Sequence, residues 1–169
     1  GSSPLYIAAQ NDNLDVARYL AGEAHADVNQ QEQMMEEPLF TSLLNDNLDV
    51  VRYLAGEAHA DVNKARTDDG STPLYIAAQN DNLDVVRYLS GEAHADVNQA
   101  TTDDGSTPLY LAALNDNLDV VRYLIGEAHA DVNQATNNGS TPPPIAATQH
   151  GQEVSGETKR TDLAELDNL

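Results

Sequence analysis

Apolar residues recur at helical spacing in two successive stripes, and the pair of stripes occurs four times along the chain. In the third occurrence the first stripe lies at the i, i+3 and i+4 positions Leu74, Ala77 and Ala78. The second stripe lies at Leu83, Val86 and Leu89. Such spacing is typical of a helix that buries one face. The polar run Asn80–Asn82 separates the stripes, so the pattern predicts two short helices joined by a tight link.

Turn and capping residues mark the ends of these helices. Asp69 and Gly70 form a tight-turn signal ahead of the first helix. Thr72 stands where an N-cap residue is favoured, and Pro73 follows at the first helical position, where its missing N–H costs nothing. Gly91 is the predicted stop of the second helix.

The whole unit of about 35 residues is repeated, with starts at Ser3, Glu37, Thr72 and Thr107. Successive spacings between the anchoring prolines Pro4, Pro38, Pro73 and Pro108 are 34, 35 and 35 residues. A period of this length predicts an all-α solenoid, because one such unit cannot bury its own apolar face. We expect a single domain over 1–169, with repeats at about 1–34, 35–68, 69–103 and 104–138 and a degenerate C-terminal repeat or cap over 139–169.

A unit of turn, helix, link and helix, with TPL opening the first helix and ADVN after the second, resembles the ankyrin repeat. The resemblance covers residues 3 to 133. It implies a stack of helix pairs with β-turn or hairpin tips projecting at one side. In that family the concave face, made of tips and first helices, is the usual surface for binding proteins.

The link between the two helices departs from the family pattern. Where ankyrin repeats usually have Gly-His, these repeats have Asp12-Asn13, Asp46-Asn47, Asp81-Asn82 and Asp116-Asn117. Asp and Asn tolerate the left-handed backbone conformation that glycine supplies, at some cost. We therefore expect the same turn with a non-glycine residue in the left-handed region.

The second repeat is the most individual, since its tip lacks the Asp-Asp-Gly turn and carries two adjacent methionines. Methionine is an adaptable apolar contact, so residues 31–40 form the leading candidate for partner contact. The candidate partner-binding residues are Gln31, Glu32, Gln33, Met34, Met35, Glu36 and Phe40, with the tip residues Arg66, Asp68 and Asp103 of the next repeats. The alternative is a drifted repeat without a role.

The chain is strongly acidic, with 28 acidic and 8 basic residues and a formal net charge of -20. That sign argues against nucleic acid and anionic membranes as partners. A protein with a basic surface is the natural complement, because opposite fields speed encounter. The alternative is that the acidity only supports solubility.

Residues that could carry chemistry recur as parts of the repeat and form no convergent cluster. One histidine occurs near the end of each second helix, at His25, His59, His94 and His129. Stacked helices about 8–10 Å apart would hold these histidines too far from one another to share a zinc ion. We therefore expect exposed or loop-capping histidines, and we expect no enzyme activity, no cofactor and no metal site.

The first repeat carries the same apolar residues as the internal copies, including Leu5, Leu14 and Val16, so we expect exposed apolar surface and a route to self-association. Cysteine is absent, and neither a signal peptide nor a membrane span is recognisable, which favours an intracellular, cytoplasmic location. Two functions from different classes remain. The first is a noncatalytic protein-binding module. The second is a structural spacer or an engineered scaffold whose near-identical repeats carry no individual partner site.

Overall fold

The computed structural model describes residues 3–29 and 38–143, and these form four successive helix pairs. The first helices of the pairs are α1 Pro4–Gln10, α3 Pro38–Leu44, α5 Pro73–Gln79 and α7 Pro108–Leu114. The second helices are α2 Leu14–Arg18, α4 Leu48–Arg52, α6 Leu83–Arg87 and α8 Leu118–Gly126. No strand occurs in these two ranges. The all-α prediction is confirmed.

The first helices begin where the sequence predicts. The Thr72 side chain accepts a hydrogen bond from the Tyr75 backbone N–H at 3.2 Å, and Pro73 occupies the first turn. Ser3 and Thr107 cap α1 and α7 in the same way. Each cap satisfies one of the N–H groups that the start of a helix leaves without an intrahelical acceptor.

Each link turns through an aspartate in the left-handed region, as expected from the sequence. The φ angles are 54°, 61°, 58° and 60° at Asp12, Asp46, Asp81 and Asp116. The asparagine after the aspartate then precedes the second helix, and the Asn82 side chain accepts a hydrogen bond from the Val85 N–H at 3.1 Å. A three-residue polar link is thus enough to reverse the chain.

In three of the four described repeats the second helix continues one residue past the glycine that the sequence suggested as its end. These are the first three repeats, where the helix ends as a five-residue π turn, at Tyr19–Glu23, Tyr53–Glu57 and Tyr88–Glu92. Gly91 therefore lies inside a π turn rather than at the helix end. In the fourth repeat α8 remains α-helical to Gly126.

The core runs continuously through the stack. First helices pack on first helices and second helices on second helices of the neighbouring repeats. The fully buried side chains repeat from unit to unit, with Leu39, Leu74 and Leu109 in the first helices and Leu54, Leu89 and Leu124 in the second. Each repeat thereby completes the apolar face of its neighbour, as in other solenoids.

The start of the stack differs from the prediction in one respect. Leu5 is buried rather than exposed, because α2 and α3 cover it, whereas Leu14 is partly buried and Val16 is exposed. The predictions for the second-repeat tip, residues 30–37, and for most of the C-terminal cap, residues 144–169, lie outside the described residues.

Candidate partner-binding site

The tips of the third and fourth repeats are tight turns closed by backbone hydrogen bonds. The Arg66 N–H donates to the Ser71 carbonyl oxygen at 2.9 Å, and the Thr101 N–H donates to that of Ser106 at the same distance. Gly70 and Gly105 both have φ of 76°, a conformation that side chains rarely adopt. The turn signal in the sequence is thus confirmed, and the tips hold their acidic residues in fixed positions.

Neighbouring tips are packed against each other. The Asn137 backbone N–H donates to the Asp104 carbonyl oxygen at 2.7 Å, and the Asn137 side-chain amide donates to that of Asp103 at 3.2 Å. A Cβ at Gly70 would overlap the backbone nitrogen of Thr102. The tips therefore form one continuous edge, along which the Asp103 carboxylate remains exposed.

Arg66 and Asp68 form a salt bridge within one tip. Arg66 Nε and Nη2 donate to the two carboxylate oxygens of Asp68 at 3.1 and 2.6 Å. Desolvation raises the pKa of Asp68, but the hydrogen bonds from Arg66 and from backbone amides outweigh it, so the pKa lies below its ordinary value. Both predicted contact residues thus lie together on the tip, and Asp68 remains mostly exposed.

Asp104 has a structural role in the fourth-repeat tip. Its Oδ1 accepts a hydrogen bond from the Thr101 hydroxyl at 2.7 Å and another from the Ser106 N–H at 2.9 Å. The bond from Thr101, followed by those from Ser106, lowers the pKa of the Asp104 carboxyl below its ordinary value. The carboxylate is consequently charged at neutral pH and fixed in direction.

Partly buried tyrosines recur at one position of the first helices, at Tyr6, Tyr75 and Tyr110. Burial raises the pKa of Tyr75, and the nearby carboxylates of Asp104 and Asp69 raise it further. An aromatic ring is therefore placed close to the negative charges of two successive tips. These tyrosines were not among the predicted contact residues, although their one-per-repeat recurrence is visible in the sequence.

Phe40 occupies the matching position in α3 but lies in the core, with 2% of its surface exposed. The sequence predicted Phe40 as part of the contact segment, whereas the structure buries its ring in the core. The ring of phenylalanine has no polar group to keep in water, so full burial between helices is favourable. The other predicted contacts of that repeat, Gln31, Glu32, Gln33, Met34, Met35 and Glu36, lie outside the described residues.

Many polar residues common to all repeats are used between repeats. The side-chain oxygens of Asn29, Asn63 and Asn98 accept hydrogen bonds from backbone N–H groups of the following repeat. The donors are Asp61, Asp96 and Asp131, at 2.8, 2.7 and 2.9 Å. We call this series the asparagine ladder. It gives the asparagine of each ADVN segment a role in joining neighbouring repeats.

A second series joins the second helices. The Arg18, Arg52 and Arg87 guanidinium groups lie over the rings of Tyr53, Tyr88 and Tyr123 at 5.3, 5.5 and 4.7 Å. Arg87 also pairs with Glu127 of the next repeat at 3.4 Å. We call this series the tyrosine–arginine ladder. It fixes these polar residues in the stack, away from the tips.

The four histidines after the second helices have φ of 54° to 58° and are exposed. They end each helix in the left-handed conformation, which agrees with the loop-capping role expected from the sequence. Across residues 3–29 and 38–143, no three His, Asp or Glu side chains are grouped to hold a metal ion. The same residues contain no helix that is long and apolar enough to cross a membrane.

Comparison with known families identifies a repeat family. A family model described as ankyrin repeats, in three copies, matches residues 5–101 and 93–155, which is more than half of the chain. No curated protein matches the chain. The match covers all four helix pairs described above.

Proposed function

The chain belongs to the ankyrin-repeat family, whose members are generally protein-interaction modules and typically not enzymes, and we propose that it binds a protein with a basic surface. The binding face would consist of the tips and first helices of the third and fourth repeats. Residues 31–36 of the second repeat would extend the same face.

The observation that carries this proposal is that carboxylates of two successive tips act on one tyrosine, Tyr75. The ring is half-buried, and the carboxylates of Asp69 and Asp104 act on its hydroxyl group. Such a site suits a lysine or arginine, because the aliphatic stem can lie on the ring while the charged head meets a carboxylate. Tyr110 offers the equivalent ring of the next repeat.

The fixed direction of the tip carboxylates supports the proposal further. The turn hydrogen bonds to Asp104 and the Arg66 pair to Asp68 reduce the ordering that binding would require. The net charge of -20 would speed encounter with a basic partner over the distance of a Debye length.

The test compares two variants with the same change in net charge. The tip variant replaces Asp68, Asp69, Asp103 and Asp104 by Asn. Asn138 accepts the turn hydrogen bond from Ser140 in the next tip, so asparagine is compatible with this turn. The control variant replaces the exposed helix residues Asp15, Asp49, Asp84 and Asp119 by Asn. Both are checked for folding by circular dichroism.

Each variant and the parent chain are used to capture proteins from a cell lysate, with elution by a salt gradient. We expect the parent and the control variant to retain the same basic protein, and we expect the tip variant to lose it. Equal loss from both variants would mean that net charge alone causes capture, and would contradict a binding face at the tips.

A structural spacer is the second candidate, and the two ladders favour it. They use residues common to all repeats for contacts between repeats, as a chain selected only for stacking would do. A spacer predicts that the parent chain retains no protein at raised salt and that the tip and control variants behave identically.

A further inference from the structure

The first helix pair exposes an apolar surface that the later pairs bury. Tyr19 is 59% exposed, whereas the equivalent Tyr88 is 7% exposed. Val16 is 41% exposed, whereas the equivalent Val85 is completely buried. Ile7 is exposed beside them. We call Ile7, Val16 and Tyr19 the leading face.

The fourth helix pair exposes the opposite half of the same repeat interface. Ile125 and Val132 are exposed there, whereas their equivalents in the third repeat, Ser90 and Val97, are only partly exposed. A mostly apolar cavity of about 170 Å³ lies on this surface, lined by Leu109, Ala113, Val121, Ile125, Val132, Pro142 and Pro143. We call Ile125, Gly126 and Val132 the trailing face.

Gly126 on the trailing face is an open position in a series that is otherwise filled. A Cβ at Gly22, Gly56 or Gly91 would lie 3.4, 2.6 or 3.4 Å from the hydroxyl oxygen of the next repeat's tyrosine. Among the described residues, no heavy atom lies within 4 Å of the corresponding point at Gly126. Tyr19 on the leading face is the tyrosine of that series whose ring is exposed.

The polar groups at the two ends continue the same two ladders. Arg122 follows Arg18, Arg52 and Arg87, and its guanidinium lies 3.8 Å from the exposed Asp119 of its own helix. Asn133 follows Asn29, Asn63 and Asn98 in the asparagine ladder. The backbone N–H of Asp27 is equivalent to the donors Asp61, Asp96 and Asp131.

We propose that the leading face of one molecule docks on the trailing face of a second copy, so that the chain associates head to tail. The second copy is the occupant because the contact continues an interface that the chain itself forms between its own repeats. Tyr19 would enter the open position at Gly126, with its ring against Arg122, and the Asn133 side chain would accept from Asp27. The resulting dimer still has one unoccupied leading face and one unoccupied trailing face, so association continues beyond the dimer.

Charge makes this association distinguishable from binding at the tips. Two copies with a net charge of -20 each repel one another, and salt weakens that repulsion. Head-to-tail association should therefore increase with salt, whereas binding of a basic protein to the acidic tips should decrease. Failure of one proposal leaves the other testable.

Sedimentation of the full chain over a range of concentrations measures the association directly. From about 0.05 M to about 0.5 M NaCl, we expect the weight-average mass to rise above the monomer's 18.2 kDa, and to rise further with concentration. Tyr19→Ala and Gly126→Gln should each remain monomeric. Leu44→Ala should associate like the parent, because Leu44 is an exposed apolar residue that belongs to neither face.

Mixing the two monomeric variants tests the polarity of the contact. Tyr19→Ala retains an intact trailing face and Gly126→Gln an intact leading face, so the mixture should form a heterodimer and nothing larger. A Gly126→Gln variant that associates like the parent would overturn the head-to-tail arrangement. A parent chain that stays monomeric at high salt and high concentration would overturn the proposal altogether. That holds also if the cause is that residues 144–169 cover the trailing face.

Discussion

The Tyr88 hydroxyl donates a hydrogen bond to the backbone carbonyl oxygen of Arg52 at 3.1 Å, and the same hydroxyl lies against Gly56. Tyr53 and Arg18 repeat this bond one unit earlier, at 3.3 Å. A tyrosine of each of these repeats thus donates to a carbonyl at the end of the preceding second helix, next to its π turn. The glycine that follows in the π turn makes room for the ring.

Replacing Gly56 by alanine should destabilise the stack. The new Cβ would lie 2.6 Å from the Tyr88 hydroxyl oxygen, so the tyrosine must move and weaken its bond to Arg52. Overpacking costs about 1–3 kcal/mol, and alanine offsets about 0.5–1 kcal/mol of this through its helix propensity, so a net loss of up to about 2.5 kcal/mol is expected. Urea unfolding monitored by circular dichroism measures it.

Gly126→Ala is the matched control, because no atom of residues 3–29 and 38–143 lies within 4 Å of the added Cβ. This variant should gain about 0.5–1 kcal/mol in free energy of unfolding, since alanine is the better helix former. Equal effects at the two glycines would show that the tyrosine contact does not limit residue choice at Gly56.

The tip glycines separate backbone conformation from packing between tips. Gly70 and Gly139 both have a left-handed backbone, with φ of 76° and 84°. Alanine at either position incurs about 1–2 kcal/mol for that conformation. Only at Gly70 would its Cβ also collide with Thr102 of the next tip. Thermal unfolding should therefore show a larger loss for Gly70→Ala than for Gly139→Ala, and equal losses would argue against tight contact between tips.

The asparagine ladder should contribute measurably to stability in the middle of the stack. Asn63→Ala removes the acceptor of the Asp96 N–H and should lower the free energy of unfolding by about 0.5–1.5 kcal/mol. Asn133→Ala, at the last position of the described series, should change it much less. Denaturant unfolding of both variants at low protein concentration compares them, and a similar loss at Asn133 would contradict a role that depends on the following repeat.

Acid should weaken the fourth-repeat tip through Asp104. The folded-state pKa of its carboxyl is lowered by the hydrogen bonds from Thr101 and Ser106. Its contribution to stability is therefore complete above the ordinary pKa of 3.8 and is lost as the pH falls through the lower folded-state value. Asp104→Asn keeps an acceptor for Ser106 but does not titrate, so its unfolding midpoint should fall less in acid.

The control for this acid effect is Asp84→Asn, which removes an exposed carboxylate from a second helix. Its unfolding midpoint should decrease in acid as steeply as that of the parent chain. The measurement is the midpoint of thermal unfolding across the acidic pH range. A parent-like acid response in Asp104→Asn would exclude the tip carboxylate as a source of the pH dependence.

The sequence by itself determined the fold class, the helix starts and the turn positions. These features depend on local physics, as Thr72, Pro73 and Gly70 illustrate, since capping, the fixed proline φ angle and the freedom of glycine act within a few residues. The left-handed aspartate of each link was predictable for the same reason. Fourfold repetition then made stacking predictable, because one helix pair cannot bury its own apolar face.

Only the tertiary structure decided which residues lie inside and which polar groups meet. Phe40 and Tyr75 occupy the same repeat position, yet one is buried and the other lies beside two acidic tips. The tyrosine–arginine ladder and the asparagine ladder were not predicted, because each joins groups about 35 residues apart in the chain. The π turns, which lie beside these contacts, were not predicted either. Contacts of that kind depend on the distance and rotation between neighbouring repeats, and no local sequence preference encodes these.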